Sequence, residues 1–161
     1  MAAKWETRYH ESGHALVAHV MAMLHSCGMI LNSDTDAYTS VIEDSDGSEA
    51  WCIKRAAVKL SGPLGRILQR GQPLEWDTMR NEGEYHTDFE EAVKIFRTHL
   101  GQGEHFGLDE RVDELMNQAC EMAHKVITPN RRIIEILADE TEGRDRFSRD
   151  EIVATIGDKL S

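Results

Sequence analysis

The sequence predicts a mainly α fold with a small β-hairpin or short sheet, on three observations. Only 6% of the residues are aromatic, so the core must rest on Leu, Ile, Val, Met and Ala, a set that favours helices over a β-sandwich. Apolar residues recur at helical spacing through most of the chain. One short region near position 35 instead places runs of strand formers around a turn-rich stretch. With 161 residues, a single domain over 1–161 is expected. A chain of this length buries about 70% of its unfolded surface and needs no covalent or metal staple to fold.

The first helix is predicted from about Trp5 to His25, with Leu16, Val17, Val20, Met23 and Leu24 on one broad face. Gly13 sits inside it, where a glycine costs about 1 kcal/mol against alanine. Close approach of another backbone or a substrate would account for it. Met29-Ile30-Leu31 and Tyr38 to Ile42 flank the turn-rich 32–36 and predict the hairpin. The acidic run from Glu43 to Glu49 lacks the full spacing of a calcium loop and reads as a solvated connection. A second helix covers about Ala50 to Arg70, with a kink or restart expected at Pro63. Gly71 to His86 is expected to be a long polar loop. Thr87 and Glu90 have the capping-box spacing, which predicts a helix from Asp88 to about Leu100, ended by Gly101-Gln102-Gly103. Another should run from about Asp109 to Val126. A further one should start at Thr128 as N-cap with Pro129 at its first position. A last helix opens at Ser148, again with a capping box to Glu151, and ends near Gly157.

Charge and cysteine usage exclude several function classes. The net charge of −11 speaks against nucleic acid as a partner, since phosphate binding needs clustered Lys and Arg. Cys27, Cys52 and Cys120 are odd in number and form no C-x-x-C pair, so neither a disulfide framework nor a cysteine zinc site is expected. The start of the chain lacks an apolar signal core, and the longest apolar stretch, Ala15 to Leu24, is too short for a bilayer. A cytoplasmic protein without a membrane segment of its own is expected.

The motif that carries chemistry is His10-Glu11-Ser12-Gly13-His14, an H-E-x-x-H sequence within the first predicted helix. Residues four apart share a helix face, so two imidazoles can hold one zinc ion between them. Glu11 can reach a zinc-bound water and take its proton as general base. A catalytic zinc usually has three protein ligands and one open position. For the third ligand the sequence leaves Asp88, Glu84, His86 and Glu82 open, because all lie in or just after the polar loop. His19, five residues past His14, points away from the ligand face.

Tyr9-His10-Glu11-Ser12-Gly13-His14-Ala15-Leu16-Val17-Ala18 closely resembles the zinc helix of FtsH-type peptidases, the protease domains of membrane-anchored AAA proteases. Asp88-Phe89-Glu90-Glu91-Ala92 fits the family's pattern for a third-ligand Asp, and Leu60-Ser61-Gly62 resembles its Leu-small-Gly step. Phe147 to Ile152 looks like its closing helix. The likeness covers the chain, closely at the zinc helix and loosely elsewhere. It implies a helical zinc-peptidase domain with its short strand near the active site, Tyr38 to Ile42, adding substrate by edge pairing. It implies zinc on His10, His14 and Asp88, with Glu11 as general base, and a metalloendopeptidase acting on peptides or unfolded protein. A homo-oligomer or a separate ATPase partner would accompany that activity, because no Gly-Lys pair, and so no Walker-type phosphate loop, occurs in this sequence. The chain departs from the family in Pro63-Leu64-Gly65-Arg66 after the Leu-small-Gly step, and in Glu84-Tyr85 where Gly-Ala is usual. These departures leave an alternative: a non-catalytic relative that binds zinc and a peptide or partner.

Overall fold

The computed structural model describes residues 2–73, 79, 83–101 and 110–161. In chain order the elements are α1 (Trp5–Val20), β1 (Leu24–Leu31), β2 (Ala37–Val41), α2 (Glu49–Gln69), α3 (Gly83–His99), α4 (Glu110–Glu140), β3 (Arg146–Phe147) and α5 (Arg149–Ile156). The fold is mainly helical with one small antiparallel sheet, as the composition and periodicity predict. No described helix is long and apolar enough to cross a membrane.

α1 is the central element. Every residue from Glu11 to Ala18 is buried, because α2, α4 and both hairpin strands pack around it. It stops at Val20 rather than at the expected His25. Ala22 takes φ 56°, and the amides of Ala22 and Met23 bond back to the carbonyls of His19 and Ala18 at 3.1 and 2.7 Å. That is a Schellman end built on alanine instead of glycine. β1 then pairs antiparallel with β2, with Met29 opposite Thr39 and Leu31 opposite Ala37. A third strand, not expected from the sequence, adds β3 to the other side, giving the order β2-β1-β3 and, among the described residues, leaving one side of β2 without a strand partner. Gly28 makes this addition possible. Its φ is +66°, and a Cβ there would lie 2.1 Å from the Phe147 carbonyl oxygen.

α2 runs as one continuous helix through Pro63, so the expected restart does not occur. Its buried face, including Ala56, Ala57, Leu60 and Leu64, lies between α1, α3 and α4 and holds the segment helical. α3 corrects a second expectation. It already includes Gly83, so Thr87 is inside the helix and Asp88 is not its first residue. The reason is a packing stripe that begins upstream of the capping pattern: Tyr85, Phe89, Ala92, Val93 and Phe96 are all buried. α4 bears out the expected division into two helices: they meet at a kink where Asn130 leaves helical geometry (φ −117°, ψ 17°), two residues after the expected N-cap Thr128. The Asn130 side chain takes up the break, donating to the Val126 carbonyl at 2.8 Å and accepting from the Ser161 amide at 2.8 Å. α5 has the predicted capping box, Ser148 with Glu151, and ends at Gly157. The acidic connection after β2 is exposed from Glu43 to Gly47, as expected. Glu82, Gln102, Gly103 and half of the expected polar loop lie outside the described residues, as does the side chain of Glu84.

Candidate metal centre

The site lies where α1 crosses α2 and α3 comes alongside. α1 and α2 approach so closely that a Cβ on Gly13 would stand 2.7 Å from the Ser61 carbonyl oxygen. Close approach of another backbone, one of the two explanations open for a glycine inside this helix, is the one the fold uses. Across the crossing, Gly62 faces the histidines. A Cβ on Gly62 would lie 2.5 Å from His14 Nε2 and 2.7 Å from His10 Nε2. Only glycine leaves this space open.

Three side chains converge there. His10 Nε2 is 2.9 Å from Asp88 Oδ2, His14 Nε2 is 3.3 Å from the same oxygen, and the two ring nitrogens are 3.1 Å apart. His14 Nδ1 lies 2.6 Å from the Val58 carbonyl oxygen, an acceptor only, so it carries a proton and donates it there. A neutral His14 therefore turns the Nε2 lone pair inward, toward a carboxylate oxygen and a second imidazole nitrogen. Three electron-rich atoms at such spacing repel unless a proton or a cation stands among them. A tetrahedral ion with bonds of ~2.0–2.2 Å needs its ligand atoms ~3.3–3.6 Å apart, close to the triangle found. The donor set of two imidazoles and one carboxylate suits zinc, and two nitrogen donors argue against calcium or magnesium. The backbone carbonyl on His14 Nδ1 is the outer partner that zinc-binding histidines usually have.

Charge at the centre follows from the same geometry. Burial lowers the pKa of His14, but the Asp88 charge and hydrogen bond, together with Glu11 and the Val58 carbonyl, outweigh it and raise the value to about 9. Burial raises that of Asp88, but His14 and His10 hold the carboxyl well below the usual carboxylate range. The positive charge that this site attracts as a proton can equally be a metal.

Glu11 is buried beside the triad, with ligand-type atoms of His10, Glu11 and His14 all within 4.8 Å of one another. Asp88, in hydrogen-bond range of both histidines, makes the closer third partner. The Thr39 hydroxyl is 2.8 Å from Glu11 Oε2 and 2.9 Å from the Glu11 carbonyl oxygen, so it can donate to either and ties β2 to α1. A polar cleft of about 400 Å³ opens over the group, lined by the triad, Glu11, β2 from Ala37 to Thr39, and Arg55, Lys59 and Glu91. His86 is exposed and does not line it. His19 is half-buried at the far end of α1. The departures Pro63 to Arg66 and Tyr85 do not line the cleft either. A Cβ on Gly65 would meet Tyr9 and Ile134 only at ordinary contact distance, Arg66 bonds Gln69 at 2.8 Å, and Tyr85 bonds Arg70.

Sequence reasoning did not single out Thr39 or Val58. Both act through contacts across 28 and 44 residues, with no local signal. Of the three cysteines, Cys52 and Cys120 are buried and Cys27 is exposed, all as free thiols. Burial pushes the Cys120 thiol up to about 11. No protein-family model matches the chain, and no curated protein matches it.

Proposed function

We propose that this protein is a zinc-dependent metalloendopeptidase that hydrolyses peptide bonds in unfolded or flexible polypeptides. His10, His14 and Asp88 hold the metal and Glu11 is the general base. The observation that carries this reading is the three-atom convergence of His10, His14 and Asp88 with a buried carboxylate alongside. When bound, zinc supplies a Lewis acid for the scissile carbonyl and makes a coordinated water acidic near pH 7. Glu11 accepts the proton of the attacking water and passes it to the leaving amine. The Thr39 hydroxyl, within 2.8 Å of Oε2, holds that carboxylate in place. The free side of β2 gives an extended peptide backbone partners next to the cleft. The resemblance to FtsH-type peptidases supports the same three ligands and the same base.

Metal analysis and a peptide-cleavage assay test the reading together. The purified protein should carry close to one zinc per chain. Glu11→Gln should keep the zinc and lose cleavage of an unfolded substrate by about 10²- to 10⁴-fold. Asp88→Ala should lose zinc, whereas Glu84→Ala should keep it. A protein that binds no zinc, or equal cleavage by wild type and Glu11→Gln, overturns the reading. Firm zinc binding without turnover would favour the non-catalytic peptide-binding relative.

A further inference from the structure

A second cavity adjoins the metal cleft. It measures about 570 Å³, and its lining is mostly apolar, with Trp51, Cys52 and Ile95 on its walls. Arg55, Lys59 and Glu91 line both this cavity and the metal cleft, so the two are neighbours along one groove between α2 and α3. Two ion pairs stand at the junction. Arg55 Nη2 meets Glu43 Oε1 at 2.7 Å, and Lys59 Nζ meets Glu91 Oε2 at 2.6 Å. These pairs neutralise four of the charged groups on the lining, to which Lys94 adds a further cation.

The spacing fixes what part of a substrate could reach it. On α3, Asp88, Glu91 and Ile95 lie on one face, and the seven residues from Asp88 to Ile95 rise about 10 Å. On α2 the same interval separates Val58, which bonds His14, from Trp51. An extended chain advances about 3.3 Å per residue, so the cavity lies about three residues of peptide from the metal. The hairpin agrees. Thr39 of β2 touches Glu11, and four residues later Glu43 lines the cavity. A peptide laid along the free side of β2 thus passes the metal and then reaches this cavity.

We propose that the cavity is a substrate side-chain pocket for a large apolar or aromatic residue lying two to four positions from the bond cleaved. This rests on the peptidase reading of the metal centre and gives that centre a substrate class: segments with an apolar side chain at a set distance from the cut. Burying such a side chain strengthens binding by about 10- to 100-fold over serine.

The test uses zinc-loaded Glu11→Gln protein, so that peptides bind without being cut. Fluorescently labelled peptides carry Phe, Leu, Ser or Asp at one position at a time, and binding is read by anisotropy. One position should prefer Phe or Leu over Ser by about 10- to 100-fold. Ile95→Asp should abolish that preference and leave the Ser peptide's affinity unchanged. Thr98→Trp tests the same point from an exposed residue of the lining, by filling the cavity without touching the core. No preference at any position, or a preference that survives both substitutions in folded protein, overturns the proposal. The two failures are distinguishable. Wild-type cleavage without side-chain preference removes the pocket alone. Preference without wild-type cleavage removes the peptidase reading and leaves a peptide-binding groove.

Discussion

His14 shows how much one side chain is asked to do. Its Nδ1 proton is committed to the Val58 carbonyl, its ring is buried, and its Nε2 faces Asp88. Its pKa, raised to about 9 against an unfolded value of 6.5, means that a folded protein without metal holds a proton there at neutral pH. The stability contributed by that proton is fully present below about pH 6.5 and is lost as pH rises through about 9. Asp88 works in the opposite sense: its contribution is present above the ordinary carboxylate pKa of 3.8 and is lost only in stronger acid. Zinc bound as proposed would have to displace the His14 proton. Apparent zinc affinity should therefore rise about tenfold per pH unit between pH 6 and 8, with about one proton released per ion bound. Competition titrations with a chelating dye at pH 6, 7 and 8 measure the slope, and a flat profile would contradict the assignment of His14 as a ligand.

At the scale of elements, the departures from expectation arise where a local signal is missing or where packing overrides it. The end of α1 gave no sequence cue because the left-handed position is held by Ala22, where glycine is usual. A left-handed alanine costs about 1 kcal/mol or more. Ala22→Gly should raise stability by about 0.5–1 kcal/mol in urea unfolding, since Ala22 is exposed and loses no packing. Unchanged or lower stability would show that the turn is not strained. At α3, the Thr87–Glu90 spacing suggested a helix start, yet the buried stripe starting at Tyr85 extends the helix upstream. At α4, Thr128-Pro129 suggested a new helix, and a kink does divide the element close by, at Asn130, with the buried residues Ala123, Ile127 and Ile134 on both sides of it. Ser148 with Glu151 is the counter-case: that capping box forms as spaced, because the residues just upstream, Arg146 and Phe147, are held in β3 by pairing with β1.

For the whole molecule, the centre joins elements far apart in sequence. His10 and His14 come from α1, and Asp88 comes from α3, 74 residues after His14. α2 passes between them in sequence and supplies Gly62, the position with room for no side chain. The apolar core is extensive without any metal, running from Ala3 to Ile156. Zinc should therefore add stability to an already folded protein. At a free zinc concentration about 1,000 times the Kd, the gain is about 4 kcal/mol, and the melting temperature should fall by several degrees on chelation while helical circular dichroism at 25 °C stays constant. Loss of the helical signal on chelation would mean that the metal, and not the core, holds the fold.

The sequence by itself determined the helical class, the hairpin, and the pairing of two imidazoles with a carboxylate on one helix, because 3.6-residue periodicity and H-E-x-x-H spacing act within a few residues. It left the third partner among Asp88, Glu84, His86 and Glu82, with Asp88 first, and the resemblance strengthened that order. Only the tertiary structure brought Asp88 Oδ2 within 3.3 Å of both ring nitrogens, placed Thr39 on Glu11, and opened the apolar cavity beyond Lys59 and Glu91. These are contacts between elements, set by how closely α1 and α2 cross at Gly13 and Gly62. A crossing distance depends on packing from both sides, and no stretch of a single strand or helix encodes it.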